Sequence, residues 1–242
     1  MIQKVFRRYE IKYLITLEQK KIILETMNQY MTLDQYGHSV IRNLYYDTDS
    51  YRLIRHSLEK TIYKEKLRIR SYQQCEEDSC VFVELKKKYD SIVYKRRITM
   101  NYRDALNWLA GKTKNFDHQQ IVKEVDYFLS YYKTLHPVVF LSYEREAYSS
   151  NNGEDFRVTF DNNILFRTDE LTLDSKVFGT TLISDNQVLM EIKCTGGIPL
   201  WMTQILTNQK IFKTSFSKYG KAYELIKKQE EQKNGTDLQR II

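Results

Sequence analysis

Strict alternation of charge with aliphatic side chains is the feature that most constrains this chain. In "YKEKLRIRSY", Tyr63 to Tyr72, the cations Lys64, Lys66, Arg68 and Arg70 stand two residues apart, with Leu67 and Ile69 between them. A β-strand turns successive side chains to opposite faces, so the cations would share one face and the aliphatics the other. Three readings of the cationic face are open. It could be a solvated sheet surface, the commonest cause of such alternation, a groove for a nucleic-acid backbone, or the inside of a closed barrel.

The same period recurs in "VFRRYEIKYLI", "SVIRNLYYD", "CVFVELKKKY", "SIVYKRRITM", "VVFLSYEREAY", "DFRVTFDNNI" and "QVLMEIKCT". Their Val, Ile, Tyr and Phe content suits strands, and Asp90-Ser91 reads as the turn of a hairpin. Helical patterns interrupt them. In "TLEQKKIILETMNQYM" Thr16 and Gln19 have capping-box spacing, and Leu17, Leu24, Met27 and Met31 form a stripe. "NYRDALNWLAG" ends on Gly111, and "DHQQIVKEVDYFLSYYKTLHP" stops near Pro137. Two further helices are expected after Gly197 and Ser215.

Parity along the strands sorts the residues into two sets. Arg8, Glu10 and Lys12 share a face, as do Lys66, Arg68 and Arg70, then Glu84, Lys86 and Lys88, then Tyr143 and Arg145, then Arg157, Thr159 and Asp161, then Glu191 and Lys193. The opposite faces hold Ile11, Tyr13, Leu67, Ile69, Val81, Val83, Leu85, Val158, Phe160 and Ile192. If the amphipathic helices cover the apolar faces from outside, the charged faces turn inward. The expected fold is therefore α+β: a closed antiparallel β-barrel tunnel of about eight strands, charged inside and covered outside by helices. Such an interior needs water, carboxylates and a bound polyanion, because unpaired buried charge costs several kcal/mol per ion.

A net charge of +7 over 242 residues points to a polyanionic partner or an anionic membrane surface. No apolar run approaches the roughly 18 residues of a membrane span. The start "MIQKVFRRYE" lacks a hydrophobic signal core, so a cytoplasmic location is expected. Three cysteines, with only Cys75 and Cys80 near each other, give no zinc spacing, and the scattered His38, His56, His118 and His136 receive no catalytic role. With 2 prolines and 8 glycines there is no low-complexity linker. One domain over 1–228 and a polar tail over 229–242 are expected.

"RRYEIKY", "KLRIRSY", "VELKKK" with "VYKRR", "LSYER", "FRVTFD", "LMEIKCTGGIP" and "SFSKYGKAY" occur in an order that resembles the vacuolar transporter chaperone (VTC) type of polyphosphate polymerase. That family lies within the triphosphate tunnel metalloenzymes, or CYTH superfamily. The likeness runs from roughly Phe6 to Tyr223. It implies an ATP-dependent polymerase that moves the γ-phosphoryl group onto a growing polyphosphate chain in a basic tunnel, with Mn²⁺ or Mg²⁺ as cofactor.

The resemblance assigns phosphate binding to Lys12, Arg68, Arg70, Lys86, Lys95 or a neighbour, Arg145, Arg157, Lys193 and Lys218. Of these, Lys12, Arg68, Arg70 and Lys218 carry the catalytic role. Glu191 matches the metal-binding glutamate, with Glu10 and Glu84 second in rank or serving as ion-pair partners. Hydrolytic members resemble one another in an initial Glu-x-Glu-x-Lys strand, whereas this chain has Arg8, Glu10 and Lys12 there. Fewer oxygen ligands favour a polymerase or a non-catalytic polyphosphate-binding module over a metal-dependent triphosphatase. The implied partners are ATP and inorganic polyphosphate or triphosphate. No specific nucleic acid is expected, and any hold on the inner membrane is peripheral, through a partner.

Overall fold

The computed structural model describes residues 9–59, 61–90, 92–113 and 120–239. Arg8, Ser91 and His118 lie outside them. In chain order the elements are β1 (Tyr9–Thr16), α1 (Leu17–Met27), β2 (Met31–Asp47), α2 (Arg52–Leu58), β3 (Tyr63–Ser71), β4 (Cys80–Tyr89), β5 (Ile92–Asn101), α3 (Tyr102–Leu109), α4 (Gln120–Tyr132), β6 (His136–Ser150), β7 (Phe156–Arg167), β8 (Thr180–Thr181), β9 (Gln187–Cys194), α5 (Leu200–Asn208), β10 (Lys213–Thr214) and α6 (Lys218–Gln239).

Among the described residues the fold is α+β, with a large antiparallel sheet and six helices. Strands pair in the order β10-β1-β9-β7-β6-β2-β3-β4-β5, and β8 adds to β7. The expected closed barrel of about eight strands is corrected here. Among the described residues the path is open, with β10 and β5 at its ends. The terminal β10 is two residues long and pairs with β1 at Lys12 and Tyr13, too short to carry a full ladder onward.

Internal packing divides the chain into two units. One takes residues 1–40, 143–164 and 183–216, and the other takes 41–142, 165–182 and 217–242. In the first, β9 lies between β1 and β7, with Tyr13 opposite Met190 and Phe160 also opposite Met190. Tyr13, Ile15, Val158, Phe160, Val188, Met190 and Ile192 pack against Ile23 and Met27 of α1 and Met202 and Ile205 of α5. Period-2 aliphatics on the strands thus meet helices on one side only.

Helix α1 carries the expected reciprocal cap, Gln19 N donating to Thr16 Oγ1 at 3.1 Å and Thr16 N donating to Gln19 Oε1 at 2.9 Å. Its buried stripe is Ile23 and Met27 rather than the set beginning at Leu17, which is 51% exposed. The helix stops at Met27 and Tyr30 N closes a turn onto Met27 O, so Met31 falls in β2. Thr16→Ala removes one cap acceptor and is expected to cost about 1 kcal/mol, read as a lower urea midpoint at unchanged slope. An unshifted midpoint would show that the cap contributes nothing.

In the second unit, β3 and β4 pair with Leu67 opposite Leu85 and Ile69 opposite Val83. These residues, Val81 and Ile98 are buried against Trp108 of α3 and Val125 and Phe128 of α4. Each fully buried aliphatic contributes about 1.5–3 kcal/mol relative to exposure. Tyr89 faces Ile92 across the β4–β5 hairpin, and Asp90 takes the left-handed backbone (φ 40) such a tight turn requires. Cys75 and Cys80 are free thiols, one buried and one exposed.

The short α2 has no sequence signature of its own. Its preceding residue Tyr51 offers no side-chain cap. Instead the buried Asp47 carboxylate accepts from Leu53 N at 2.8 Å and Ile54 N at 3.0 Å, and from the Tyr219 hydroxyl at 2.8 Å.

Candidate functional site

Opposite the helix-covered face, the second unit carries its charge in rows set by register. Arg68, Glu84 and Arg97 align across β3, β4 and β5, and the next row is Lys66, Lys86 and Lys95. Glu84, 2% exposed, is the hub. It accepts from Arg68 Nε at 2.8 Å and Arg97 Nε at 2.7 Å, and Lys95 Nζ lies 2.8 Å and Arg70 Nε 3.8 Å away. Burial works against its charge, yet Arg68, Arg70 and Lys95 overcome that and hold the carboxyl well below the usual carboxylate range.

Neighbouring polar groups fix the arginines. Arg68 Nη1 donates to Tyr45 Oη at 2.8 Å, and Arg70 Nε donates to Asn43 Oδ1 at 3.0 Å. Asn43 is itself anchored to Leu141 O at 3.1 Å. Arg68 also turns Nη2 to the same Glu84 oxygen as its Nε, at 2.6 Å, so the carboxylate fixes the orientation of its guanidinium. Lys66 Nζ donates to Ser217 Oγ at 3.1 Å, and the same oxygen accepts from Gly220 N at 3.1 Å, which makes Ser217 the cap of α6. Lys218 follows in the first turn.

The first unit builds a second charged cluster on β1, β9 and β7. Lys12 faces Glu191, which faces Thr159; Glu10 faces Lys193, which faces Arg157. The Glu191 carboxylate lies 2.6 Å from Lys193 Nζ and 3.8 Å from Lys12 Nζ. Burial opposes its ionisation, but Lys193, Lys12 and Arg145 hold it well below the usual carboxylate range. Arg145 grips the fully buried Asp161 with two bonds, Nε to Oδ1 at 2.6 Å and Nη2 to Oδ2 at 2.7 Å. Arg157 Nη2 pairs with Asp34.

The assigned residues therefore fall into two groups. Lys12, Glu10, Arg145, Arg157, Glu191 and Lys193 belong to the first unit, and Arg68, Arg70, Glu84, Lys86, Lys95 and Lys218 to the second. Sequence reasoning missed Arg97, Asn43 and Asp34 as members, and placed Asp161 on a charged face without naming Arg145 as its partner. Arg97 had a signal, since it stands two residues beyond Lys95 on a strand. Asp34 had none, because its partner lies 123 positions away.

For the implied metal, the first unit is the better fit. Glu10 and Glu191 both approach the Lys12 ammonium, at 3.6 and 3.8 Å, so two carboxylates converge on one cation position. Mg²⁺ and related ions accept one or two carboxylates, keep waters and take their other oxygens from substrate phosphates. Glu191 with Glu10 would be the pair to offer such oxygens once phosphate is bound, both now facing Lys12. Glu84 does not, because a divalent ion would join four cations already around it. No cage of three or more His, Cys, Asp or Glu side chains exists among the described residues.

A family model described as the VTC domain matches residues 7–227. No curated protein matches significantly. Among solved structures, one from Bacillus halodurans, described as a candidate adenylate cyclase, aligns with a TM-score of 0.53 at 15% identity, covering 86% of this chain and 92% of its own. Another, a candidate adenylyl cyclase from Hippeastrum whose description records a dominant triphosphatase activity, aligns with a TM-score of 0.53 at 14% identity, covering 88% and 93%. At these identities the likeness is one of fold. No described helix is long and apolar enough to cross a membrane.

Proposed function

This chain belongs to the VTC domain family, and from that premise we propose that it is an ATP-dependent polyphosphate polymerase that extends its chain in a basic tunnel. The observation that carries the reading is the row Lys66, Lys86 and Lys95, three lysines set directly opposite one another on adjacent strands. Like charges in that position repel across a sheet. Glu84 lies 2.8 Å from Lys95, and a bound polyanion would add further counter-charge to the row.

In the proposed reaction a terminal oxygen of the polyphosphate attacks the γ-phosphorus of ATP. A new P–O bond forms in line as the bond to the β-phosphate oxygen breaks, and ADP leaves. The attacking oxygen is already anionic, so no general base is required. What the protein supplies is position and charge. In the second unit Arg68 and Arg70 orient phosphate oxygens while Lys86, Lys95 and Lys218 neutralise charge; in the first, Lys12 and Lys193 neutralise charge and Arg157 adds a fork. Arg145, committed to Asp161, acts by stiffening the wall beside Glu191. Glu191 and Glu10 would hold Mn²⁺ or Mg²⁺, which supplies charge neutralisation between phosphate oxygens when bound.

Purified protein incubated with ATP and Mn²⁺ and resolved on a polyphosphate gel tests this. Growing chains are expected with the wild type and at least tenfold fewer with Lys218→Ala. Orthophosphate without chain growth would replace the polymerase with a triphosphatase. Intact ATP beside tight polyphosphate binding would make the protein a binding module.

A further inference from the structure

Thr159 lies at the centre of the first unit's charged cluster, opposite Glu191 on β9, and is 2% exposed. Its Oγ1 is buried and has no hydrogen-bond partner, and the same holds for Arg157 Nε two residues earlier on the same strand face. A buried hydroxyl left unpaired costs free energy that an apolar group of equal shape avoids. Valine has that shape and suits a strand at least as well. Packing therefore does not account for the hydroxyl.

The surrounding groups narrow what it is for. Asp161, the next residue on this face, is gripped by Arg145 through both oxygens. Glu191 is engaged by Lys193 and Lys12. The nearby carboxylates thus face cations, and the buried polar atoms without a hydrogen-bond partner at 157 and 159 are an N–H and an O–H. A group that takes both is an anionic oxygen with several lone pairs, which a phosphoryl group offers and a metal ion does not.

We propose that Thr159 is a phosphate-binding residue, its hydroxyl donating, beside Arg157 Nε, to an oxygen of the bound polyphosphate or triphosphate. This rests on the phosphate reading of the cluster given above. It adds a neutral donor to a set otherwise made of cations. A neutral donor positions one oxygen by direction, whereas an ammonium attracts from any side.

Titration calorimetry of the full chain with tripolyphosphate, metal-free and at fixed salt, tests the assignment. Thr159→Val is expected to bind about tenfold more weakly, the size of one hydrogen bond to a charged acceptor. Thr159→Ser should stay within about twofold of wild type, and the unliganded valine variant should melt at or above the wild-type temperature. Wild-type affinity in Thr159→Val would overturn the proposal. So would equal losses in the valine and serine variants, which would make the methyl group, not the hydroxyl, the feature that matters. A wild type that does not bind tripolyphosphate would instead overturn the phosphate reading of the whole cluster.

Discussion

Glu84→Ala is expected to lower stability by about 3–5 kcal/mol, a fall in melting midpoint on the order of 10 °C. The carboxylate is buried under Arg68, Arg70, Lys95 and Arg97, with contacts from 2.5 to 3.8 Å. Removing it leaves cations facing one another with no internal counter-charge, which is costlier than never having built the cluster. Because its pKa is held below the unfolded carboxylate value, its stabilisation is present above that value and is lost as pH falls through the depressed one. The gap between wild type and variant should therefore be widest near neutral pH and narrow in strong acid. Tripolyphosphate should raise the variant's midpoint more than the wild type's, because a bound polyanion supplies the missing charge. Equal melting of the two proteins at pH 7 would show that Glu84 does not hold the cations together.

How much of this was legible in the sequence follows from which forces are periodic. Strand parity is local, so Leu67, Ile69, Val83 and Leu85 on one face and Arg68, Arg70, Glu84 and Lys86 on the other could be sorted by counting in twos. The cap of α1 was legible for the same reason, since Thr16 and Gln19 are three residues apart. Helix α2 was not, because the group that caps it, Asp47, also holds Tyr219, 172 positions away. Closure of the sheet was inferred from the charged faces and the helical cover of the apolar ones, and neither specifies which strand edges pair; among the described residues the path ends in the two-residue β10. The ion pair of Asp34 with Arg157 joins residues 123 positions apart, which composition and periodicity do not encode, whereas Asp161 and its partner Arg145, 16 positions apart, were both on charged faces and only their register was unread.

Glu191→Gln separates two jobs that one carboxylate could be doing. As a counter-ion it neutralises Lys193 and Lys12, 2.6 and 3.8 Å away. As a metal ligand it would place a divalent ion against phosphate oxygens. Glutamine keeps the shape and one oxygen but loses the charge. Metal-free tripolyphosphate should then bind as tightly as to the wild type or about fivefold more tightly, because two lysines regain their full attraction for phosphate. Chain growth from ATP should nevertheless fall by on the order of 10²-fold or more, the scale seen when one element of transition-state charge stabilisation is removed. Mn²⁺ should tighten tripolyphosphate binding to the wild type and leave the variant unchanged, a readout that does not depend on turnover. If binding collapses together with activity, Glu191 serves by orienting Lys12 and Lys193, and the metal must be held elsewhere. If both survive, neither job is its own, and the chemistry has to be sought among the arginines around Glu84.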